Sequence, residues 1–400
     1  MSINRIGTAN MYDSTISNLG SRQSSLVELM EKTTAGKRVL RASDDPVAAA
    51  QAERARTRIT RSENEQRVLG FQRDVIAQGE SELGKAHGAL QDFRDLLLQA
   101  GNGSYDQVAR DALVQQMESL RDQILGYANA KDSNGLPIFR GLGSSDTPLQ
   151  SVPPGAQSSL NPGQNTGSDN GLPISLDGHA VWLNVPTGNG VFEVGSGASN
   201  AGKAWADAGS ITDPSKVTGD SYTLVFSKDP ATGAVSYVIN SSAGTSTPSA
   251  AYKAGEAITI NGQQIVLKGE PANGDSFTMA PSKRTDIFTV LDQAINTVKS
   301  GTNGSTALQQ GLGRAMSELD SGMNRVQAVR SYAGDQLKRA DRLESDMKDQ
   351  ALTQEGARSR AEDIDMITAL SEVETQKVGL QAALQSYAQM QKLSLFNYIS

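Results

Sequence analysis

Apolar positions recur at three- and four-residue steps near both ends of this chain and switch to short alternating runs in its middle. Near the N-terminus Tyr12, Ile16, Leu19, Leu26 and Met30 form one stripe, with Gln23 in its polar slot. Leu69, Ile76, Gly79, Leu83, Ala86, Leu90, Phe93 and Leu97 form a second, and Leu113, Met117, Leu120, Ile124 and Tyr127 a third. The pattern returns after the middle. Phe288, Leu291, Ile295 and Val298 make one stripe, and Leu308, Leu312, Ala315, Leu319 and Val326 another. The last runs through Met366, Leu370, Val373, Leu380, Leu384 and Tyr387, with Lys377 in its polar slot and Leu393 and Phe396 beyond. Sustained spacing of this kind with charged flanks predicts long helices packed side by side. Gln23 and Lys377 either set register in such a seam or face solvent.

The middle reads differently. Residues 141–171 are rich in glycine, serine and proline and predict a loop or linker. Short strands follow, punctuated by Asp177-Gly178, by Asp229-Pro230 with Gly233, and by Asn261-Gly262. Such pairs supply the positive φ angles of tight hairpins, so each predicts a turn between strands. The expected fold is α+β and multidomain, a long coiled-coil-like helical bundle from both chain ends with an inserted β-rich domain. The expected divisions are an N-terminal assembly helix (1–45), half of a helical rod (46–140), the solvent-facing β-rich insertion (141–282), the other half of the rod (283–350) and a C-terminal assembly helix (351–400).

Composition narrows the function. Lysine plus arginine number 37 against 44 acids, a formal charge of −7, which argues against a nucleic-acid partner. There is no cysteine, so thiolate metal sites, disulfides and cysteine nucleophiles are excluded. The first twenty residues lack the apolar core of a signal peptide, and no run approaches the ~18 apolar residues of a membrane span. Membrane insertion is therefore not expected, and export without a cleaved signal is.

Candidate chemistry is sparse. Gly36-Lys37-Arg38 fails the phosphate-loop pattern because Arg38 stands where serine or threonine is needed. It reads as a helix stop, with Gly36 in the left-handed cap and cations beside the helix C-terminus. In Ser43-Asp44-Asp45-Pro46, Pro46 suits a first helical turn, Ser43 or Asp45 suits the cap, and Asp44 and Asp45 meet the positive end of the dipole. The chain has two histidines, His87 and His179, and neither lies in a zincin or nucleophile-elbow motif. Asp132–Phe139 begins like a calcium loop but lacks the terminal acid, and reads as a turn. No catalytic, cofactor-binding or metal-ligating residue is assigned, and an enzyme is not expected.

Four separated motifs point to a family. They are Thr33–Ala52 ("TTAGKRVLRASDDPVAAAQA"), Ala128–Gly141 ("ANAKDSNGLPIFRG"), Gly269–Ser282 ("GEPANGDSFTMAPS") and Ala383–Ser400 ("ALQSYAQMQKLSLFNYIS"). In this order they resemble the bacterial flagellin family, and within it the hook-associated branch that joins hook to filament. Filament flagellins read closer to "GLRI" and "KDDAAGQAI" at the first motif. The resemblance implies an extracellular structural protein of the flagellum, needed for motility and exported by the flagellar type III apparatus. The partners it implies are hook-associated protein 1, flagellin, a cytoplasmic export chaperone and copies of the chain itself in a ring of about eleven. The stripes of Tyr12, Ile16, Leu19 and Leu26 and of Leu370, Val373, Leu380, Leu384, Tyr387, Leu393 and Phe396 are then the expected assembly interface. The alternatives are a filament flagellin, or a secreted adhesin binding glycans through Trp182 and Trp205 of the β-rich part.

Overall fold

The structure is a computed structural model that describes residues 8–103, 105–139, 172–173, 175–302 and 305–399, with side chains described from 13 to 389. The glycine-rich stretch 141–171 and the side chains of Tyr12, Leu393 and Phe396 lie outside the described residues. Three helices come first, α1 (Thr8–Ala35), α2 (Pro46–Ala100) and α3 (Gln107–Ala128). The short α4 (Gly178–Trp182) precedes a strand region, and α5 (Ile287–Ser300), α6 (Thr306–Glu362) and α7 (Met366–Ile399) end the chain. The chain forms two compact units. One holds residues 1–68 and 342–400, the other 69–341, and α2 and α6 pass through both.

In the larger unit the helical core follows a strict heptad. On α2, Leu69, Ile76, Leu83, Leu90 and Leu97 recur every seventh position and are all buried. On α6, Leu312, Leu319, Val326, Ala333 and Ala340 do the same. Strict seven-residue spacing keeps one seam of each helix facing inward over many turns. Cross-helix pairs mark the antiparallel register: Arg94 Nε donates to Asp320 Oδ1 at 2.8 Å and Arg330 Nε to Glu80 Oε1 at 2.7 Å. Two glycines interrupt the apolar rows for packing reasons. A Cβ on Gly79 would stand 2.6 Å from Leu176 Cδ1, and one on Gly322 would collide with Ile287 Cδ1. Both leave room for a neighbouring segment to seat against the helix. Packing of α3 on α5 is clamped by Arg121, which reaches Asp292 through Nε (3.0 Å) and Nη2 (3.3 Å) and lies over the Phe288 ring.

Among the described residues the strand region of this unit has eleven strands. They are β1 (Val185–Pro186), β2 (Phe192–Ser196), β3 (Trp205–Ala206), β4 (Ser210–Ile211), β5 (Tyr222–Lys228), β6 (Val235–Ser241), β7 (Ala250–Ala251), β8 (Ala257–Ile260), β9 (Gln263–Lys268), β10 (Ser276–Pro281) and β11 (Arg284–Thr285). A five-stranded sheet runs β2-β10-β5-β6-β7 and a smaller one β3-β9-β4 with β8 on β9, while β1 pairs with β11. Tyr222, Leu224 and Phe226 of β5 point inward with Phe277 and Met279 of β10, and Val225 faces out. The alternation is that of a sheet covered on one face.

The turn at Asn261-Gly262 joins β8 to β9 with φ values of 43° and 74°, the left-handed pair a two-residue hairpin requires. Asp229–Gly233 turns β5 into β6. At Asp177-Gly178 the structure differs from the expected hairpin. Asp177 Oδ1 accepts from His179 N and Ala180 N, and the residues after it form α4. Asp-Gly can also be a helix cap followed by its first residue, and here the apolar segment after it folds inward. Trp182 is fully buried, edge-on to Phe139 and tilted against Phe288. It is therefore core, with no face left for a sugar. Trp205 is half-buried with Lys268 Nζ 5.0 Å from its ring centroid.

Candidate assembly interface

The smaller unit consists of α1 and α7 with the adjoining ends of α2 and α6. Helices α1 and α7 pack antiparallel: the backbone of Lys37, just past α1, pairs with that of Asp363, just before α7, and Arg22 lies beside Gly379 further along. This pairing divides the expected interface residues in two. Leu26 is buried (8% exposed), and Leu19, Val373, Leu380 and Tyr387 are half-buried in the α1–α7 seam. Ile16 (54%), Leu370 (57%) and Leu384 are exposed. Gln23 and Lys377 are exposed too, and Lys377 Nζ stands 3.5 Å from Glu374 Oε2.

Met30 and Met366, members of the two stripes, are exposed as well, and so are three apolar residues that lie outside the stripes, Val27 on α1 and Ile367 (84%) and Val378 on α7. Ile367 and Val378 lie about three turns apart and share one face of α7, while Leu370 and Leu384 lie about four turns apart on the flank of that face. The signal was present in the sequence as a helix apolar around more of its circumference than a single seam needs. An apolar face of this extent marks a binding surface.

Below the α1–α7 pair, four helix ends meet. Helix α1 stops at Gly36 (φ 69°), where Gly36 N donates to Thr33 O and Lys37 N to Lys32 O, the paired bonds of a left-handed cap. Asp45 caps α2 by accepting from Ala48 N at 3.0 Å, and Pro46 is the first helical residue. Ser43 sits exposed in the turn before it. Asp44 corrects the expectation that both acids meet the start of α2. Its Oδ2 accepts from Leu40 N and Arg41 N, both at 3.0 Å, so it braces the loop. Asp365 caps α7 through Ile367 N and Thr368 N. Backbone hydrogen bonds hold Asp44 below the usual carboxylate range. Asp45 is lowered by Ala48 N and then by the Arg38 side chain.

The loop after α1 is zipped to the break between α6 and α7. Arg38 N and Val39 N donate to Glu362 O, and Ile364 N donates to Gly36 O. Arg38 reaches Ala361 O with Nη2 (2.9 Å) and Asp45 with Nη1 (3.1 Å). Beneath lies the buried Glu362 carboxylate, paired with Arg56 and Arg358 and 3.4 Å from Lys37 Nζ. Burial pushes Glu362 upward, but hydrogen bonds from Arg56 and Arg358 outweigh it and hold the group ionised below its ordinary range. Among the described residues no three metal-ligating side chains converge, and no helix is long and apolar enough to cross a membrane.

One unit of paired terminal helices with an uncovered apolar face, and another with a heptad helical core and a β-rich region, define a helical subunit of the self-assembling kind. The chain belongs to the flagellin family. The bacterial flagellin N-terminal helical region matches residues 6–144 and the C-terminal helical region residues 316–399, together more than half of the chain. Flagellar hook-associated protein 3 of Salmonella typhimurium is 25% identical over 398 residues, 98% of either chain. The crystal structure of the flagellar junction protein FlgL from Legionella pneumophila superposes with a TM-score of 0.66 at 28% identity, covering 73% of this chain and 99% of that one. Flagellin of Bacillus subtilis is 31% identical, but over only 33% of this chain and 44% of its own length.

Proposed function

We propose that this chain is a structural subunit of the bacterial flagellum that joins the hook to the filament. One observation carries this: likeness to hook-associated protein 3 spans 98% of both chains, whereas the filament flagellins of Bacillus subtilis and Shigella flexneri match over 33% and 62% of this chain and only 44% of their own. Its partners are hook-associated protein 1 on the hook side, flagellin on the filament side and further copies of itself in a ring of about eleven. An export chaperone holds it in the cytoplasm, and it leaves through the flagellar export apparatus with its N-terminus uncut. No catalytic step is part of this role.

The exposure of the stripe residues supports a division of the proposed interface. Leu19, Leu26, Val373, Leu380 and Tyr387 form a seam within one subunit, supporting the arm made by α1 and α7. The intersubunit surface is the outer face of that arm, with Ile16, Val27, Leu370, Leu384, Ile367 and Val378. Deleting the gene and viewing cells by electron microscopy tests the role. Hooks without filaments, with flagellin lost to the medium and restored by the wild-type gene, are the expected result. Normal filaments on deletion cells would overturn it.

A further inference from the structure

Glu362 breaks a local rule. It is the last residue of α6, where the negative end of the helix dipole disfavours an acid, and it is 3% exposed. Three cations from three segments compensate it: Lys37 from the loop after α1, Arg56 from α2 and Arg358 from α6 itself. Burying a carboxylate among cations is a poor way to gain stability, because desolvation offsets most of the attraction. Such groups are better explained when they select one arrangement among several.

The seam around it has that problem. Within this unit the buried positions of α2 are Ala48, Ala52, Ala55 and Ser62, and α6 contributes Ala361. Small side chains of equal size make shallow knobs, so a shift of one helix along the other loses little apolar contact. Ser62 Oγ donates to Met347 O at 3.3 Å, a backbone acceptor that every turn of α6 repeats, so the row itself hardly distinguishes one alignment from the next. Glu362 does, because its carboxylate meets all three cations in one alignment only. The backbone bonds from Arg38 and Val39 to Glu362 O attach the end of α1 to the same residue.

We infer that Glu362 is a registration latch, which aligns the α1–α7 pair on the ends of α2 and α6 by binding Lys37, Arg56 and Arg358 at once. It acts on the arm before any partner arrives, so it is testable in the purified full-length chain, independently of the junction role. In Glu362→Gln, hydrogen exchange at Ser24–Ala35 and Met366–Val378 should quicken by about tenfold or more, while Leu83–Phe93 keeps its protection. Unchanged exchange in the arm overturns the latch, as does acceleration spread equally over both units. Arg56→Met with Arg358→Met and Glu362→Leu separates registration from stability. An apolar replacement should restore the melting temperature yet leave the arm exchanging fast. If both recover together, Glu362 is ordinary stabilisation and the latch is wrong. Should Glu362→Gln not fold, Lys37→Met removes only the tie to α1. It should quicken the arm alone, and full protection of the arm in that variant overturns the proposal.

Discussion

Replacing Ile367 by asparagine should leave the subunit as stable as its parent and yet prevent filament attachment, whereas Leu26→Ala should do damage of the opposite kind. Ile367 is 84% exposed, so its loss touches little within the subunit, and the change in unfolding free energy should stay within about 0.5 kcal/mol. On the proposed intersubunit surface the same side chain would become buried. Covering an isoleucine contributes roughly 2–3 kcal/mol, and asparagine adds an unpaired amide to the interface. The loss recurs in every copy of the layer. Leu26 is 8% exposed in the α1–α7 seam. Truncating it removes buried methyl groups from the monomer itself, at about 2–3 kcal/mol, the lower part of the range for leucine because other residues of the seam, Leu19 and Leu380 among them, are only half-buried. The assay pairs urea unfolding of the purified chain with electron microscopy of deletion cells carrying each variant. An Ile367→Asn subunit that attaches filaments normally would refute the outer face as the contact. One that unfolds as easily as Leu26→Ala would show that Ile367 belongs to the subunit's own core.

Gly322→Ala should destabilise the larger unit by about 1–3 kcal/mol in urea, since the new methyl meets Ile287 Cδ1, and adding Ile287→Val should recover part of that loss. Asp44→Ala with Asp45→Ala should loosen the start of α2 and the loop before it, seen as faster hydrogen exchange at Leu40–Ala49, with unit 69–341 unaffected. Asp44, Asp45, Glu362 and Asp365 are all lowered in the folded chain. Their contribution is therefore complete above the ordinary carboxylate range of about 4 and is lost as pH falls below it. Acid titration followed by hydrogen exchange should show the arm opening before the heptad core of α2 and α6, and simultaneous opening would count against it. Removing Gln381–Ser400 should leave the strand region and the heptad core folded, by circular dichroism, while abolishing attachment to the hook.

Much of the fold is legible in local pattern. The seven-residue row from Leu69 to Leu97 dictates a helix with one buried seam, because side chains at that spacing share a face whatever they pack against. Asn261-Gly262 dictates its hairpin, because few other residue pairs tolerate two successive positive φ angles. Gly36 and Pro46 likewise mark a helix end and a helix start from backbone geometry alone. The four family motifs carry the broad role as well.

Tertiary structure decided what depends on coverage and on distance along the chain. Periodicity states which residues share a face but not how wide a strip the partner helix hides. Leu380 therefore enters the α1–α7 seam while Leu370, in the same stripe, stays outside, and Ile367 and Val378 emerge as a second face. Asp177-Gly178 has the composition of a turn, and only the pocket waiting for Trp182 makes it the start of a helix. Nothing local to Glu362 announces its role, because Lys37 and Arg56 lie hundreds of residues away in sequence and reach it only when four helix ends meet.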